Sequence, residues 1–176
     1  MSKILIVVSA AAVWERVDGA TYPTGYWAEE LAAPHKRFVE AGYTVDFASP
    51  GGGVLQPLDE HSASPEIAGV GCARYVVHAK KALREFGPLP KLDEVDIHDY
   101  VTVVPSGGYG PVVEGTSWLL SARLRGLGAV CSGGTAWQRF NVRHDNTGQN
   151  RAPIAPMAED MIAALALRHG WYASVN

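Results

Sequence analysis

The run Lys3-Ile-Leu-Ile-Val-Val-Ser9 constrains this chain more than any other segment. Its consecutive aliphatic residues leave no polar face, so a strand here must be buried on both sides. Such strands belong to parallel sheets, whose neighbours are joined by crossover connections. The chain supplies a crossover at once. Residues 25–41 read as a helix, with Trp27, Leu31 and Phe38 on one face and Gly42 as its C-terminal stop. Tyr43 to Ala48 alternates as a second strand and runs into Ser49-Pro50-Gly51-Gly52-Gly53. Strand, helix, strand is a βαβ unit, and the expected class is α/β with a flavodoxin-like parallel sheet sandwiched by helices. The N-terminal apolar run suits this strand better than a signal peptide, and no stretch is long enough to span a bilayer.

The remainder extends the pattern. A loop with Asp18-Gly19 and Pro23 precedes the first helix. Ser64 to Phe86 reads as a helix weakened by Gly69 and Gly71, then broken by Gly87-Pro88 and Pro90. Tyr100 to Val104 is a third β-rich run, followed by Pro105-Ser106-Gly107-Gly108-Tyr109-Gly110. Ser117 to Leu127 reads as helix, Phe140 to Arg143 as a short strand and Asn146 to Asn150 as a loop. Pro156 to His169 is the expected terminal helix, with Met157, Met161, Ile162, Leu165 and Ala166 on its buried side. No repeat or linker interrupts the 176 residues, so a single domain over 1–176 is expected.

Charge and composition narrow the function. The net charge is −3, from 15 basic and 18 acidic residues without a basic run, so neither a nucleic-acid nor an anionic-membrane partner is expected. Cys72 and Cys131 lie far apart, which fits reduced thiols in a cytoplasmic protein rather than a disulfide framework. The six histidines show no metal-ligand spacing, so no metal is expected. Without a Walker lysine or a G-x-G-x-x-G run, no nucleotide cofactor is expected either.

In doubly wound sheets, ligands sit beyond the carboxyl ends of the strands. Residues 10–25, 50–53 and 107–110 fall there. Gly107 and Gly108 either present backbone N–H donors to an anion or simply turn the chain. Glu29 and Glu30 open an apolar-faced helix. Adjacent helical residues point about 100° apart, so only one can follow Trp27 and Leu31 inward. Either both are solvated and favour the helix N-terminus, or Glu30 enters the cleft with its pKa raised by burial. Cys131, in Ala129-Val-Cys-Ser-Gly-Gly134, reads as a nucleophile on a sharp turn or as a small core residue. His61 reads as a surface loop residue, His169 as a helix end, and Cys72 as a helix core or surface thiol.

These segments resemble the DJ-1/PfpI (ThiJ) superfamily, and in particular its Hsp31-like, glutamine amidotransferase-like branch. The opening strand, Pro23-Thr-Gly-Tyr-Trp-Ala-Glu-Glu-Leu-Ala-Ala-Pro34-His35, Gly42-Tyr-Thr-Val-Asp-Phe-Ala-Ser-Pro-Gly-Gly52 and Asp99-Tyr-Val-Thr-Val-Val-Pro-Ser-Gly-Gly-Tyr-Gly-Pro111 carry the resemblance. It implies that Glu30, four residues before Pro34, is the family's proton-sharing glutamate. It implies that Gly108 supplies an oxyanion-hole N–H and that Tyr109 replaces a histidine. Two registers place the rest. In one, Cys131 is the elbow cysteine and Ser132 stands where a histidine belongs. In the other, which matches more residues, Trp118 to Ala129 is similar to the helix beyond the elbow. Thr147-Gly-Gln-Asn150 then resembles the branch's closing motif, with Arg151 in place of proline. The elbow segment is then deleted near residues 114–116, and the sheet is shortened or rearranged, or completed by a homodimer.

The resemblance implies an enzyme acting on a small carbonyl compound. Either Cys131 attacks the carbonyl, or Glu30 works alone as acid or base in a hydratase-like or lyase-like reaction. Tyr109 would stand with Glu30 and Cys131 among the catalytic residues, and Gly107, Gly108, Trp27, Tyr26 and Tyr22 would bind the substrate. The alternative is a non-catalytic relative: a pseudoenzyme, small-molecule binder or chaperone-like dimer.

Overall fold

The computed structural model describes residues 2–15, 19–54 and 56–108, together with Ala158, Ile162 and Ala163. Its elements are β1 (Lys3–Val7), β2 (Val13–Glu15), β3 (Thr21–Pro23), α1 (Ala28–Glu40), β4 (Thr44–Ala48), α2 (Pro65–Ala68), α3 (Cys72–Phe86) and β5 (Tyr100–Pro105). Among the described residues, β4, β1 and β5 form one sheet in that order, with β1 central and both pairings parallel. This is the α/β architecture that the βαβ unit implied.

β1 is buried on both faces. Ile4, Ile6 and Val8 face α1 and α3, packing with Leu31, Phe38, Phe47, Ala79 and Leu83. Leu5 and Val7 face the opposite way, onto Ala48 and Leu92. Each such aliphatic side chain removed from water contributes roughly 1.5–3 kcal/mol. The strand therefore anchors both layers and fixes where its carboxyl end lies. Ala158, not among the residues expected to be buried, is fully buried with the α1 and α3 layer, and Ile162, which is among them, packs against the same cluster. The rest of the expected terminal helix and the elements read over 117–150 lie outside the described residues.

α1 has the expected inward face and charge order, with Glu29 and Glu30 in its first turn and Arg37 in its last. It ends where Gly42 takes φ +85°, a conformation that costs glycine little. The N–H groups of Ala41 and Gly42 bond back to Arg37 and Val39. Pro34 lies inside α1 and has no N–H, so the Glu30 carbonyl one turn earlier lacks its usual helical donor.

Two expectations need correction. The helix read across Ser64–Phe86 is divided into α2 and α3. Gly69 and Gly71 take φ +80° and +91°, left-handed conformations that a continuous helix does not allow. The segment read as loop before α1 also contains a hairpin, in which Val13, Trp14 and Glu15 pair antiparallel with Pro23, Tyr22 and Thr21. Its strands are short and largely exposed, so no buried face imposed a readable period on them.

Candidate active site

Three segments meet beyond the carboxyl end of β1. The residues before α1 form the centre. Tyr26 N–H donates to the Pro57 carbonyl at 2.9 Å, and Asp59 N–H donates to the Tyr26 carbonyl at 3.0 Å. On the other side, Trp27 N–H donates to the Gly107 carbonyl at 2.9 Å. Residues 25–27 are thus held between the segment at 57–59 and the loop that leaves β5. The packing leaves no room for side chains on the glycines. A Cβ on Gly25 would collide with the Pro57 carbonyl, and one on Gly108 with the Gly25 carbonyl. Gly108 also takes φ +115°.

This clamp places the first turn of α1 over Gly107. Glu30 is 8% exposed, whereas Glu29 is only partly buried. The Gly107 backbone N–H donates to the Glu30 carboxyl, and a Cβ on Gly107 would fall inside that carboxyl group. Burial pushes the Glu30 pKa up to about 8; the Gly107 hydrogen bond opposes the shift and the neighbouring Glu29 adds slightly to it. Desolvation wins because one backbone donor does not replace the water that a carboxylate loses. Near neutral pH both protonation states are accessible, as acid–base catalysis requires.

Glu30 Oε2, Thr24 Oγ1 and Ser106 Oγ are buried and have no hydrogen-bond partner among the described residues. They sit on α1, just before it, and beside Gly107. Such groups retain capacity for a polar ligand.

The other expected site residues are spread more widely. Trp27 is half-buried beside Gly107. Tyr26 is 1% exposed and packs in the core, where burial pushes its hydroxyl pKa up to about 12. It supports the site from beneath. Tyr22 is on β3, with its ring centroid 6.2 Å from that of Trp14. Tyr109 and Cys131 lie outside the described residues, as do the two registers that concern Cys131. Cys72 is buried at the start of α3, and its thiol donates to the Ala63 carbonyl at 3.2 Å. His61 is exposed, as expected of a surface residue, and lies on the short 3-10 turn Glu60–Ala63, with its N–H and its Nδ1 both 3.0 Å from Oδ1 of the fully buried Asp59. Asp59 was missed because residues 54–63 carry no periodic signal. Among the described residues, no group of three or more His, Cys, Asp or Glu is placed to hold a metal ion, and no helix is long and apolar enough to cross a membrane.

Fold and site together define an α/β protein with a buried carboxylic acid at the carboxyl end of a parallel sheet. No family model and no curated protein matches the chain. Solved structures do. The rapid encystment protein 24 kDa (REP24) of Francisella tularensis is 21% identical, with a TM-score of 0.50 over 71% of this chain and 53% of that one. Glyoxalase III of Candida albicans is also 21% identical, with a TM-score of 0.52 over 72% of this chain and 51% of that one. A third protein, known only by a target label, is 24% identical, with a TM-score of 0.58 over 96% of this chain and 100% of its own. This chain therefore spans about half the length of the first two. The likeness is one of fold, an α/β architecture with a parallel sheet flanked by helices, which is the class the sequence pattern implied.

Proposed function

We propose that this protein is a cofactor-independent enzyme that transfers protons through Glu30 on a small carbonyl substrate. One observation carries the reading: a buried carboxyl, poised near pH 8, fixed by a backbone N–H where α/β folds bind ligands. The fold shared with glyoxalase III of Candida albicans makes a 2-oxoaldehyde the first substrate to try.

The chemistry is balanced without a cofactor. Water adds to the aldehyde. The Glu30 carboxylate removes the hydrogen from that carbon, and the electron pair moves toward the neighbouring ketone as an enetriolate, whose former ketone oxygen takes a proton from one hydroxyl of the hydrated carbon. The Glu30 carboxyl then returns the proton to the former ketone carbon, giving a 2-hydroxy acid. The Gly108 N–H is the candidate donor to the developing oxygen charge. Neither cysteine takes part, so Cys131 is not a nucleophile in this reading.

The test is conversion of methylglyoxal or phenylglyoxal to its 2-hydroxy acid by the purified chain. Glu30→Gln is expected to reduce kcat/KM by about 100-fold or more, and Cys131→Ala to leave it unchanged. Full activity in Glu30→Gln would remove the proposal. Loss of activity in Cys131→Ala would restore the thiol route.

A further inference from the structure

Away from this site, α1 and α3 meet through two imidazoles. His35 Nδ1 and His78 Nε2 are 2.9 Å apart, and the ring centroids are separated by 5.1 Å with the planes at 65°. His35 also stacks on Phe47 of β4 at 5.5 Å, and Phe47 meets Phe86 of α3 edge-on at 5.4 Å. The four rings form a continuous cluster joining α1, β4 and α3. A hydrogen bond between two imidazole nitrogens needs one N–H and one lone pair, so at least one ring must be neutral.

The charged neighbours pull both ways: Glu85 favours a proton on His35 and Glu40 one on His78, whereas Lys81 opposes a proton on either ring and Lys36 one on His78. Lys36 and Glu40 face the pair from α1, and Lys81 and Glu85 face it from α3. Each carboxylate already meets a cation. Glu40 lies 3.7 Å from both Lys36 and Arg37, and Glu85 lies 3.0 Å from Lys81. The acid on β4, Asp46, instead meets Lys3 at 3.2 Å and Tyr100 at 3.1 Å. A proton arriving on either ring therefore enters a partly buried place where the neighbouring acids are already committed.

We propose that the His35–His78 contact is an acid-sensitive latch, which holds α3 on α1 at neutral pH and loosens as the pair takes up protons. Burial, then the charge on His78, pushes the His35 pKa down to about 4. Burial and the ammonium groups of Lys36 and Lys81 lower that of His78. The unfolded chain takes up these protons near pH 6.5, before the folded chain does. The unfolded state binds more protons in the interval, so stability falls as pH drops from about 6.5 toward about 4. Below that interval the pair adds no further loss.

The experiment is thermal unfolding of the full chain between pH 7.5 and 4.5, for the natural protein and for His35→Phe/His78→Leu. Phenylalanine at position 35 preserves the stack on Phe47. Over this range the natural protein should lose roughly 5 °C more in Tm than the double variant. Imidazole nitrogen NMR of the natural protein should place both ring titrations below pH 6.5, and this measurement decides the matter even if the variant does not fold. Equal acid losses of Tm in the two proteins, or two rings titrating at or above pH 6.5, would overturn the latch.

Discussion

Glu30 and His35 sit little more than a turn apart on α1, and burial does opposite things to them. At Glu30 it holds a proton on a carboxyl that would ordinarily lose it, with pKa about 8. At His35 it strips a proton from an imidazole that would ordinarily begin to gain it, with pKa about 4. Both shifts have one cause, since low polarity disfavours whichever form is charged. The partners differ accordingly. Glu30 receives one backbone N–H from Gly107, whereas His35 receives a second imidazole and a stacked phenyl ring. The comparison shows how one helix keeps an acid and a base both neutral near physiological pH. In the proposed reaction the acid transfers a proton, whereas the base makes a packing contact.

The two ends also oppose each other in stability. The folded Glu30 carboxyl keeps its proton up to about pH 8, whereas the unfolded one loses it near 4.5. The folded state binds more protons between these values, so this end weakens as pH rises through the interval. The histidine end weakens as pH falls.

The largest effect that can break the comparison is Glu30→Gln. Glutamine keeps the size but does not titrate. Beyond the activity loss, the stability lost on raising the pH from about 4.5 to 8 should disappear, a difference on the order of 3 kcal/mol by urea unfolding. In the natural protein, kcat/KM should rise with pH through a midpoint near 8, because the carboxylate takes the first proton. An unchanged alkaline slope in Glu30→Gln would mean that some other group sets it.

Gly107→Ala comes next. The added methyl meets the Glu30 carboxyl, so carboxyl and loop must part. A loss of about 2 kcal/mol is expected from overpacking. The displaced carboxyl gains water, so the activity midpoint should move down from about 8 toward the ordinary carboxylate range. A variant with natural stability and an unmoved midpoint would show that Gly107 does not hold Glu30.

Much of the acid end could be read before the structure, and almost none of the base end. The doubly buried β1, the βαβ unit and the glycines after β5 follow from local pattern and from solvent exclusion, which act on consecutive residues. The inward turn of Glu30 rather than Glu29 follows from helical spacing and from the resemblance. His35 and His78 are 43 residues apart, and their contact depends on how α1 and α3 cross. No periodicity encodes that crossing. Asp59 escaped for a similar reason: its burial comes from backbone bonds to Tyr26 across an irregular segment. The hairpin of β2 and β3 escaped because its strands are held by each other rather than by the core.

Pro34 offers the smallest effect and sharpens the comparison most. It separates the two ends, because the N–H that would have tied residue 34 back to the Glu30 carbonyl does not exist. One half of α1 is therefore fixed by Gly107 and the other by α3, with a missing rung between them. Pro34→Ala restores the rung, worth about 1 kcal/mol, but gives up buried ring methylenes of similar worth. The net change in stability should stay within about 1 kcal/mol, and the new amide should be protected in hydrogen exchange. Its effect is expected in the coupling. With proline at 34, the double histidine variant should leave the Glu30 activity midpoint unmoved. With alanine there, the same double variant should shift that midpoint by a few tenths of a pH unit, since α1 then responds as one body. A shift already present with proline would show that the acid and base ends communicate by another route, through β4 and the core beneath α1.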